Sequence, residues 1–559
     1  MEQLTAQETG GLRIALAQIN TRVGDCRANA SRVIELVGRA RKEVDARLVV
    51  FPELTISGYP PEDLLLREDF VDSCERELER IAENVGDAAV MIGTPGRGPD
   101  GHMQNQAVVI DGGRVVARYA KRALPNYGVF DEKRYFRKGR EPLVVEIDGV
   151  SVGVVICEDA WRAGPIEETA EAGASVICVL NASPFHRQKT REREAQIAER
   201  VHSSGCAIIY VNLVGGQDEL VFDGRSFVSC RTGGNHMHLP GFAEAIGWTE
   251  VSTEGEILAH GPSHEWQQGE AEIYRALTTG IADYVRKNGF SGVVLGLSGG
   301  IDSSLVLALA VDALGAENVL AVRMPSRYTS PMSLEDAQLQ CDALGVRCET
   351  ISIEPIFESF REALSPLFAG LAEDVAEENL QARARGVILM ALSNKFGRLL
   401  LTTGNKSELA VGYATLYGDM AGGFAPIKDV PKTVVYELAR YRNTLGGTVR
   451  PELAAVPERV ITREPSAELR ADQRDSDSLP PYADLDRIIE AFVERDSSIE
   501  DIVAMGLDEA VVRRVVGMIL ANEYKRRQAP PGVRISRRAF GRDRRYPISS
   551  GFRPDRNGS

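Results

Sequence analysis

Residues 293–304 read VVLGLSGGIDSS, and this stretch decides the fold of the second half of the chain. A short apolar run, residues 293–297, leads into a Ser-Gly-Gly turn, and a longer apolar run, residues 305–314, follows it. The pattern predicts a strand, a glycine turn and a helix. Glycines let main-chain N–H groups approach a ligand closely, and the amino end of a helix attracts negative charge. With three serine hydroxyls and one carboxylate beside the glycines, the turn predicts a phosphate site; a tight connection without a ligand is the alternative.

The alternation of strand and helix continues downstream. Strand-like apolar runs are found at residues 319–323, 348–353 and 399–403, and helix-like runs at residues 333–344 and 379–395. This rhythm is typical of a doubly wound α/β domain with a parallel sheet. Ligands bind such sheets at the carboxyl ends of the strands. The segments predicted to lie at that edge are Ser298, residues 325–327 and residues 402–405.

Length and composition indicate a soluble globular protein with at least two domains, because 559 residues are too many for one ordinary core. Hydrophobic residues make up 43% of the chain and charged residues 26%, as in globular proteins. The formal net charge of −15 argues against a nucleic-acid partner, since such proteins usually carry a basic face. No apolar run reaches about 18 residues and the start lacks a signal-peptide pattern, so we expect no membrane segment and a cytoplasmic location.

The cysteines and histidines restrict the chemistry further. None of the eight cysteines forms a C-x-x-C pair, which makes disulfide and zinc frameworks poor interpretations. All seven histidines lie at or before His264. The chemistry of the second half therefore uses no histidine as a base.

Three reactive residues of the first half each follow a predicted strand. These strand-like runs are residues 48–51, 114–119 and 152–156. Glu53, Lys121 and Cys157 come directly after them, and the ends of neighbouring strands tend to gather at one edge of a sheet. A thiolate that attacks an amide carbonyl, a carboxylate that carries the proton and a cation that stabilises the oxyanion together predict acyl transfer. Each residue alone would more simply be a buried thiol, a turn cap or a solvated lysine.

The sequence around these residues resembles that of the nitrilase superfamily of carbon–nitrogen hydrolases over about residues 10–255. The matching segments read FPELTISGYPPEDLL, KRALPNYGVFDEKRYF, ICEDAW and NASPF. The resemblance implies an N-terminal αββα sandwich. It also implies that Glu53 is the general base and acid, Lys121 the oxyanion partner and Cys157 the nucleophile. For the glutamine-using branch, the implied glutamine-binding residues are Tyr127, Glu132, Glu158 and Ser183, of which Glu132 is the second, positioning glutamate.

A polar segment rich in Gly and Pro separates the two halves. Residues 256–269 are predicted to be a linker, and residues 270–287 show helical spacing. We therefore predict two domains: residues 1–265, which the resemblance implies to be a glutamine amidohydrolase domain, and residues 266–559.

The glycine turn lacks the lysine of a Walker A motif, and SGGIDSS instead resembles the pyrophosphate-binding loop of the ATP pyrophosphatases. The downstream segments ENLQARARG, TTGNKSELAVGYATLYGDMAGGFAPIKDVPKT and KRRQAPPGVRISRRAFGRDRRYPI resemble the NAD synthetases. With the first half included, the chain is similar to the glutamine-dependent NAD synthetase family from end to end.

This second resemblance implies a Rossmann-like synthetase domain that uses ATP and Mg²⁺, with Asp302 and Glu408 as the metal ligands. Hard carboxylate oxygens suit that ion. The implied ATP-binding residues are Ser298, Gly299, Gly300, Asp302, Ser303, Ser304, Thr403 and Lys432. The implied residues for nicotinic acid adenine dinucleotide are Asn379, Arg383, Asp419 and Lys525.

The implied reaction is the glutamine-dependent amidation of nicotinic acid adenine dinucleotide to NAD, with release of AMP and pyrophosphate and with ammonia passed between the two sites. A homo-oligomer is implied as well. Two alternatives stay open: another glutamine-dependent amidotransferase of the ATP pyrophosphatase class, and a non-catalytic nucleotide-binding regulator. Residues 463–481 are charged and rich in Ser and Pro, which is typical of a disordered loop or of a mobile lid over the reacting adenylate.

Overall fold

The structure is a computed structural model that describes residues 11–552. Within that range the chain divides into two compact units. One comprises the residues up to Gln217 together with Val221–Gln267, and the other comprises Asp218–Leu220 and the residues from Gln268 onward. Among the described residues, no helix combines the length and the hydrophobicity that crossing a bilayer requires.

The first unit consists mainly of strands. Its strands are β1 (Leu12–Gln18), β2 (Leu48–Val50), β3 (Ala89–Arg97), β4 (Met103–Asp111), β5 (Arg114–Ala120), β6 (Leu143–Ile147), β7 (Val150–Ile156), β8 (Val176–Asn181), β9 (Ala207–Asn212), β10 (Val214–Gln217), β11 (Leu220–Asp223), β12 (Phe227–Ser229), β13 (Asn235–His238), β14 (Ala245–Val251) and β15 (Ile257–His260). Its helices are α1 (Cys26–Val44), α2 (Glu68–Asn84), α3 (Glu132–Tyr135), α4 (Pro165–Glu171) and α5 (Lys189–Ser204).

Two sheets of this unit pack face to face between helices. One sheet has the order β15-β14-β1-β2-β3-β4-β5 and the other the order β13-β12-β9-β8-β7-β6. Successive side chains of a strand point to opposite faces: Ile14 and Leu16 of β1 join the core between the sheets, whereas Ala15 and Ala17 pack with α1 and α2. Helices α4 and α5 contact the second sheet. The predicted αββα sandwich is therefore confirmed.

In the second unit, strands and helices alternate as far as Leu401, and the regular elements described after that residue are helices. Its strands are β16 (Val293–Gly296), β17 (Val319–Arg323), β18 (Arg347–Thr350) and β19 (Leu399–Leu401). Its helices are α6 (Glu270–Lys287), α7 (Ile301–Leu314), α8 (Pro331–Leu344), α9 (Glu354–Phe368), α10 (Val375–Phe396), α11 (Lys406–Val411), α12 (Lys432–Thr444), α13 (Glu458–Thr462), α14 (Tyr482–Ile489), α15 (Ile499–Ala504), α16 (Glu509–Ala521) and α17 (Glu523–Arg526).

The four strands of this unit form a parallel sheet in the order β18-β17-β16-β19. Helix α10 packs on the sheet through Leu389 and Leu392, which meet Val294 and Leu400. Helix α7 also contacts β16 and β17 and in turn packs against α6 and α12. A separate apolar core joins α11, α14, α15 and α16. The predicted doubly wound parallel sheet is confirmed.

The clearest differences between the predicted and the observed elements concern residues 348–353 and residues 256–269. The strand predicted over residues 348–353 ends at Thr350, because Ile353 already caps helix α9 and its N–H donates to the carbonyl of Pro325. Strand β15 lies inside the polar segment 256–269 and pairs antiparallel with β14. Its backbone hydrogen bonds do not depend on apolar side chains, which is why composition did not indicate them.

Candidate active sites

Glu53 and Lys121 meet in the interior of the first unit. Glu53 lies three residues beyond β2, and Lys121 directly follows β5. The Lys121 ammonium lies 2.7 Å from Oε1 of Glu53, and both side chains are completely shielded from solvent. The two residues that were predicted at strand ends are thus in direct contact.

Glu132 completes an ion cluster around Lys121. Its Oε1 lies 2.8 Å from Nζ of Lys121 and also accepts a hydrogen bond of 3.0 Å from the hydroxyl of Tyr59. Burial raises the pKa of Glu132 to about 7, an effect that Lys121 opposes. Burial would lower the pKa of Lys121, but Glu132 and Glu53 together raise it well above its usual value. Lys121 is therefore a permanent cation held between two acids.

Cys157 begins the helical turn that follows β7. It adopts a left-handed backbone conformation with φ of 44°, which residues other than glycine rarely adopt. Burial raises the pKa of its thiol, Glu53 raises it further, and Lys121 lowers it. Cys157 therefore lies within electrostatic range of both other members of the predicted triad. A buried thiol of this kind needs a base to become a nucleophile.

Asp159 is a member of this site that the sequence analysis missed. Its two carboxylate oxygens accept hydrogen bonds from the Tyr119 hydroxyl at 2.8 Å and from three backbone N–H groups, those of Arg122, Ala123 and Ile156. These groups lie on either side of Lys121 and directly before Cys157. One buried carboxylate thus fixes the lysine segment relative to the cysteine turn.

The four residues predicted for glutamine lie in three different settings. Glu132 belongs to the lysine cluster. The Tyr127 hydroxyl donates to Oε2 of Glu158 at 2.8 Å, and Arg162 donates to the other oxygen of that carboxylate. Ser183 instead accepts a hydrogen bond of 3.1 Å from the buried guanidinium of Arg193. The structure therefore pairs Tyr127 with Glu158 and places Ser183 in a separate buried network.

In the second unit, most of the predicted ATP and metal residues line one cavity of about 290 Å³. These are Ser298, Gly300, Asp302, Ser303, Thr403, Glu408 and Lys432. Asp419, predicted for the dinucleotide, lines it too. In the described part of the chain, Gly299 and Ser304 are not among the lining residues, and the Ser304 side chain is buried within α7.

The glycine turn has the predicted strand–turn–helix form. The hydroxyls of Ser298 and Ser303 lie 3.0 Å apart, and the N–H of Gly300 donates to the Ser298 hydroxyl. Gly299 has φ of 82°, and a Cβ there would lie 2.3 Å from the carbonyl oxygen of Ser333. Only glycine fits this position. The turn thus brings the amino end of α7 to the cavity wall.

Asp302 and Glu408 face each other across Lys432. The Lys432 ammonium lies 2.5 Å from Oδ2 of Asp302 and 3.0 Å from Oε1 of Glu408. Asn405 forms hydrogen bonds with both acidic residues: its side-chain amide donates to Asp302, and its side-chain oxygen accepts from the backbone N–H of Glu408. Burial raises the pKa of Glu408 to about 7, Lys432 lowers it, and Asp302 raises it.

This donor set fits a hard divalent cation that is shared with a phosphate. Two carboxylates open into the cavity beside the glycine turn, and Mg²⁺ commonly takes one or two carboxylates and completes its shell with water and phosphate oxygens. Within residues 11–552 there is no group of three or more His, Cys, Asp or Glu side chains that would hold a metal by protein ligands alone.

The four residues predicted for the dinucleotide converge on residues 412–419. Lys525 donates to the carbonyls of Gly412 and Ala414, and Arg383 donates to the carbonyl of Leu416. Asn379 and Asp419 both bind Thr415, one through its hydroxyl and the other through its N–H. The sequence thus predicted a set of side chains that the fold brings to one loop.

The charged segment 463–481 forms part of the cavity wall. Arg463 donates to the carbonyl of Gly299 at 3.0 Å and to the hydroxyl of Ser333. Glu468 and Asp475, from the same segment, also line the cavity. Arg385 of α10 lines it as well, and burial lowers the pKa of its guanidinium to about 10. None of these four residues was assigned to the site from sequence.

Comparison with known proteins assigns each half to a family. Residues 13–233 match the carbon-nitrogen hydrolase family, and residues 273–529 match the NAD synthase family. The glutamine-dependent NAD(+) synthetase of Xanthomonas campestris pv. campestris is 52% identical over 97% of this chain and 98% of its own length. The enzyme of the same name from Acinetobacter baylyi is 48% identical over 97% and 99% of the two chains.

Solved structures match nearly the whole length of the chain. The glutamine-dependent NAD+ synthetase of Acinetobacter baumannii, solved in complex with adenosine diphosphate, has 46% sequence identity and a TM-score of 0.78 over 97% of this chain and 99% of its own. A glutamine-dependent NAD(+) synthetase from Cytophaga hutchinsonii has the same fold at 22% identity, with a TM-score of 0.82. The chain belongs to the family of glutamine-dependent NAD(+) synthetases.

Proposed function

We propose that this protein is a ligase that converts nicotinic acid adenine dinucleotide, ATP and glutamine into NAD, AMP, pyrophosphate and glutamate. The observation that carries the proposal is the presence on one chain of two features: a buried Glu53–Lys121 pair with Cys157 within electrostatic range, and a phosphate-type glycine turn that opens into a cavity with two carboxylates. Similarity along 97% of the chain to relatives of one named activity favours this reaction over a different amidotransferase or a non-catalytic regulator.

In the first unit, Cys157 attacks the side-chain amide carbon of glutamine. Glu53 accepts the thiol proton and returns it to the departing nitrogen, so that ammonia leaves and a thioester remains. The Lys121 ammonium stabilises the negative charge on the carbonyl oxygen, a role that its raised pKa suits. Glu53 then activates water, which releases glutamate. Tyr127, Glu158 and Ser183 would hold glutamine, and Glu132 would position Lys121.

In the second unit, the carboxylate of nicotinic acid adenine dinucleotide attacks the α-phosphorus of ATP, and pyrophosphate leaves. The glycine turn, with Thr403 and Lys432, would hold the ATP phosphates at the amino end of α7. Asp302 and Glu408 would hold Mg²⁺, which when bound supplies neutralising charge to phosphate oxygens. No base is needed, because the attacking carboxylate is already ionised.

The activated carboxyl then reacts with ammonia. Ammonia attacks the carbonyl carbon, AMP leaves, and the amide of NAD is formed. Asn379, Arg383, Asp419 and Lys525 would hold the dinucleotide, since they surround one loop and Asp419 reaches the cavity. We also propose that ammonia passes from the first site to the second without release into solution.

Two broader properties belong to the same proposal. A homo-oligomer would cover the apolar side chains that are exposed on and beside α10, among them Val387 at 64% and Leu371 at 72% exposure. A cytoplasmic location would give the enzyme access to ATP and dinucleotides. Sedimentation velocity at several protein concentrations tests the first property, and a monomer at all of them would contradict it.

The decisive experiment uses glutamine labelled with heavy nitrogen in its side-chain amide. With ATP, Mg²⁺ and nicotinic acid adenine dinucleotide, we expect labelled NAD, with one AMP and one pyrophosphate formed for each NAD. A glutamate dehydrogenase coupling system in the same mixture reports ammonia that escapes. Absence of labelled NAD would refute the reaction, and ammonia release equal to glutamine consumption would refute its protected transfer.

A further inference from the structure

Asn105 lies on β4, in contact with two members of the predicted glutaminase triad. Its backbone carbonyl accepts a hydrogen bond of 2.8 Å from the N–H of Lys121. Its side-chain amide donates a hydrogen bond of 2.7 Å to Oε1 of Glu53. The residue is completely buried. Asn105 therefore links the backbone that carries the cation to the carboxylate that serves as the base.

The two oxygens of the Glu53 carboxylate have different surroundings. Oε1 accepts hydrogen bonds from both Asn105 and Lys121, each at 2.7 Å, which occupies its two lone pairs. In the described part of the chain, Oε2 accepts only the N–H of Ala182, at 3.0 Å. One lone pair of Oε2 is thus open to a proton, and Oε1 has none to offer.

The amide of Asn105 can take only one orientation. Its carbonyl oxygen Oδ1 is buried and accepts no hydrogen bond from any residue in the range 11–552. A flipped amide would place this oxygen against Oε1 of Glu53, so that two acceptors would face each other. The carboxylate therefore determines the orientation, and the structure tolerates an unsatisfied buried oxygen to keep the donor on Glu53.

We propose that Asn105 is a positioning residue that directs proton transfer to Oε2 of Glu53. This inference rests on the proposed glutaminase reaction. The S–H bond of Cys157 breaks as the Oε2–H bond forms, and the sulfur lone pair attacks the amide carbon. The same proton then moves from Oε2 to the nitrogen as the C–N bond breaks, so that neutral ammonia leaves. The hydrogen bond from Asn105 stabilises negative charge on Oε1 of Glu53. The transferred proton therefore stays on Oε2.

Two substitutions of Asn105 separate the effect of its hydrogen bond to Glu53 from the effect of its packing. Asn105→Leu keeps the branched shape and the number of side-chain heavy atoms and removes the donor. We expect kcat for glutamine hydrolysis to fall by about 10- to 100-fold with little change in KM, as for a lost hydrogen bond to a charged group. Asn105→Asp places a second carboxyl group beside Glu53. Two such groups share a proton at low pH, and the shared proton restores a donor to Oε1.

The pH profiles therefore distinguish a positioning role from a structural one. Asn105→Asp is expected to approach wild-type glutaminase activity at low pH and to lose it as the pH rises and the carboxyl pair loses its proton. Asn105→Leu is expected to stay below wild type by a constant factor. Iodoacetamide should alkylate Cys157 fastest in wild type, at a rate near wild type in Asn105→Asp at low pH, and more slowly in Asn105→Leu. This alkylation rate reports thiolate formation without turnover.

The matched control is Asn235→Leu. Asn235 donates to Oε1 of Glu194 at 2.8 Å, which is the same kind of bond on β13 and outside the Glu–Lys–Cys cluster. Thermal unfolding of all variants shows whether the first unit is folded, and ammonia-supported NAD synthesis shows that the second unit is active. Wild-type kcat in a folded Asn105→Leu, or the same pH profile for both Asn105 variants, would overturn the inference. Absence of glutaminase activity in wild type would instead refute the proposed function.

Discussion

The ammonium of Lys432 lies 2.5 Å from a carboxylate oxygen of Asp302. This buried cation is therefore located where the phosphates of ATP are proposed to bind. Glu408 binds the same ammonium from the other side. One ammonium thus lies between two carboxyl groups that both line the cavity. When ATP enters, this lysine can turn to the phosphate oxygens and leave both carboxylates for a metal ion.

The first prediction concerns these two acids. We expect Asp302→Asn and Glu408→Gln each to lower NAD synthesis by at least about 100-fold, with glutamine or ammonia as nitrogen source, because each variant removes one proposed metal ligand. Glutamine hydrolysis in the absence of the other substrates should change little. Magnesium titrations of the synthesis rate provide the measurement, and an unchanged magnesium dependence in either variant would contradict the assignment.

The second prediction separates the two chemistries. Cys157→Ala is expected to lower glutamine-supported synthesis by at least about 1,000-fold, because it removes the proposed nucleophile. Ammonia-supported synthesis should persist, since only the ammonia source is removed. Cys178→Ala, which removes another buried thiol of the same unit, serves as the control. Equal loss of both activities in a folded Cys157→Ala protein would disprove this division of labour.

The third prediction uses the titration of Glu132. Burial raises the pKa of this acid from 4.5 to about 7, so that between these values the folded protein binds a proton that the unfolded chain has released. Its contribution to stability is therefore fully present below about pH 4.5 and is lost as the pH rises through about 7. The melting temperature of wild type should fall more steeply over this range than that of Glu132→Gln.

The exposed glutamate of β6 gives a control for this measurement. Glu146→Gln is expected to reproduce the wild-type slope of melting temperature against pH, because its side chain is open to solvent. Parallel slopes for wild type and Glu132→Gln would show that Glu132 does not bind the extra proton.

The fourth prediction concerns the glycine turn. Gly299→Ala must move the backbone of Ser333 or abandon a φ of 82°, and we expect lower thermal stability and loss of synthesis with either nitrogen source. Gly517→Ala, in α16 with open space around its Cα, should instead stabilise the protein by up to about 1 kcal/mol. Differential scanning calorimetry compares the two, and an equal effect of both substitutions would contradict the steric argument.

The strand ends account for what could be predicted from sequence. Glu53, Lys121 and Cys157 each lie within three residues of a short apolar strand, so local pattern was enough to place each of them at a strand end. The glycine turn was equally readable, since its conformation depends on residues that are neighbours in the chain. Local sequence thus determined the elements and the reactive groups at their ends.

Contacts between distant parts of the chain could not be predicted in this way. Asn105 faces Glu53 because β4 pairs with β3 in a register that sets Asn105 opposite Pro95, and a shift of one residue would turn it to the other face. Asp159 likewise acts on backbone groups that are about 36 residues away in sequence. The charged composition of residues 463–481 suggested disorder, and the bond from Arg463 to Gly299 spans 164 positions.

The left-handed backbone conformation of Cys157 lowers the stability of the folded protein at a residue that is proposed to react. A cysteine at φ of 44° costs about 1–3 kcal/mol relative to a residue that accepts this conformation. Glycine would relieve the strain and would give an inactive protein that is harder to unfold. The strained backbone is therefore a cost in stability that comes with placing the proposed nucleophile at this turn.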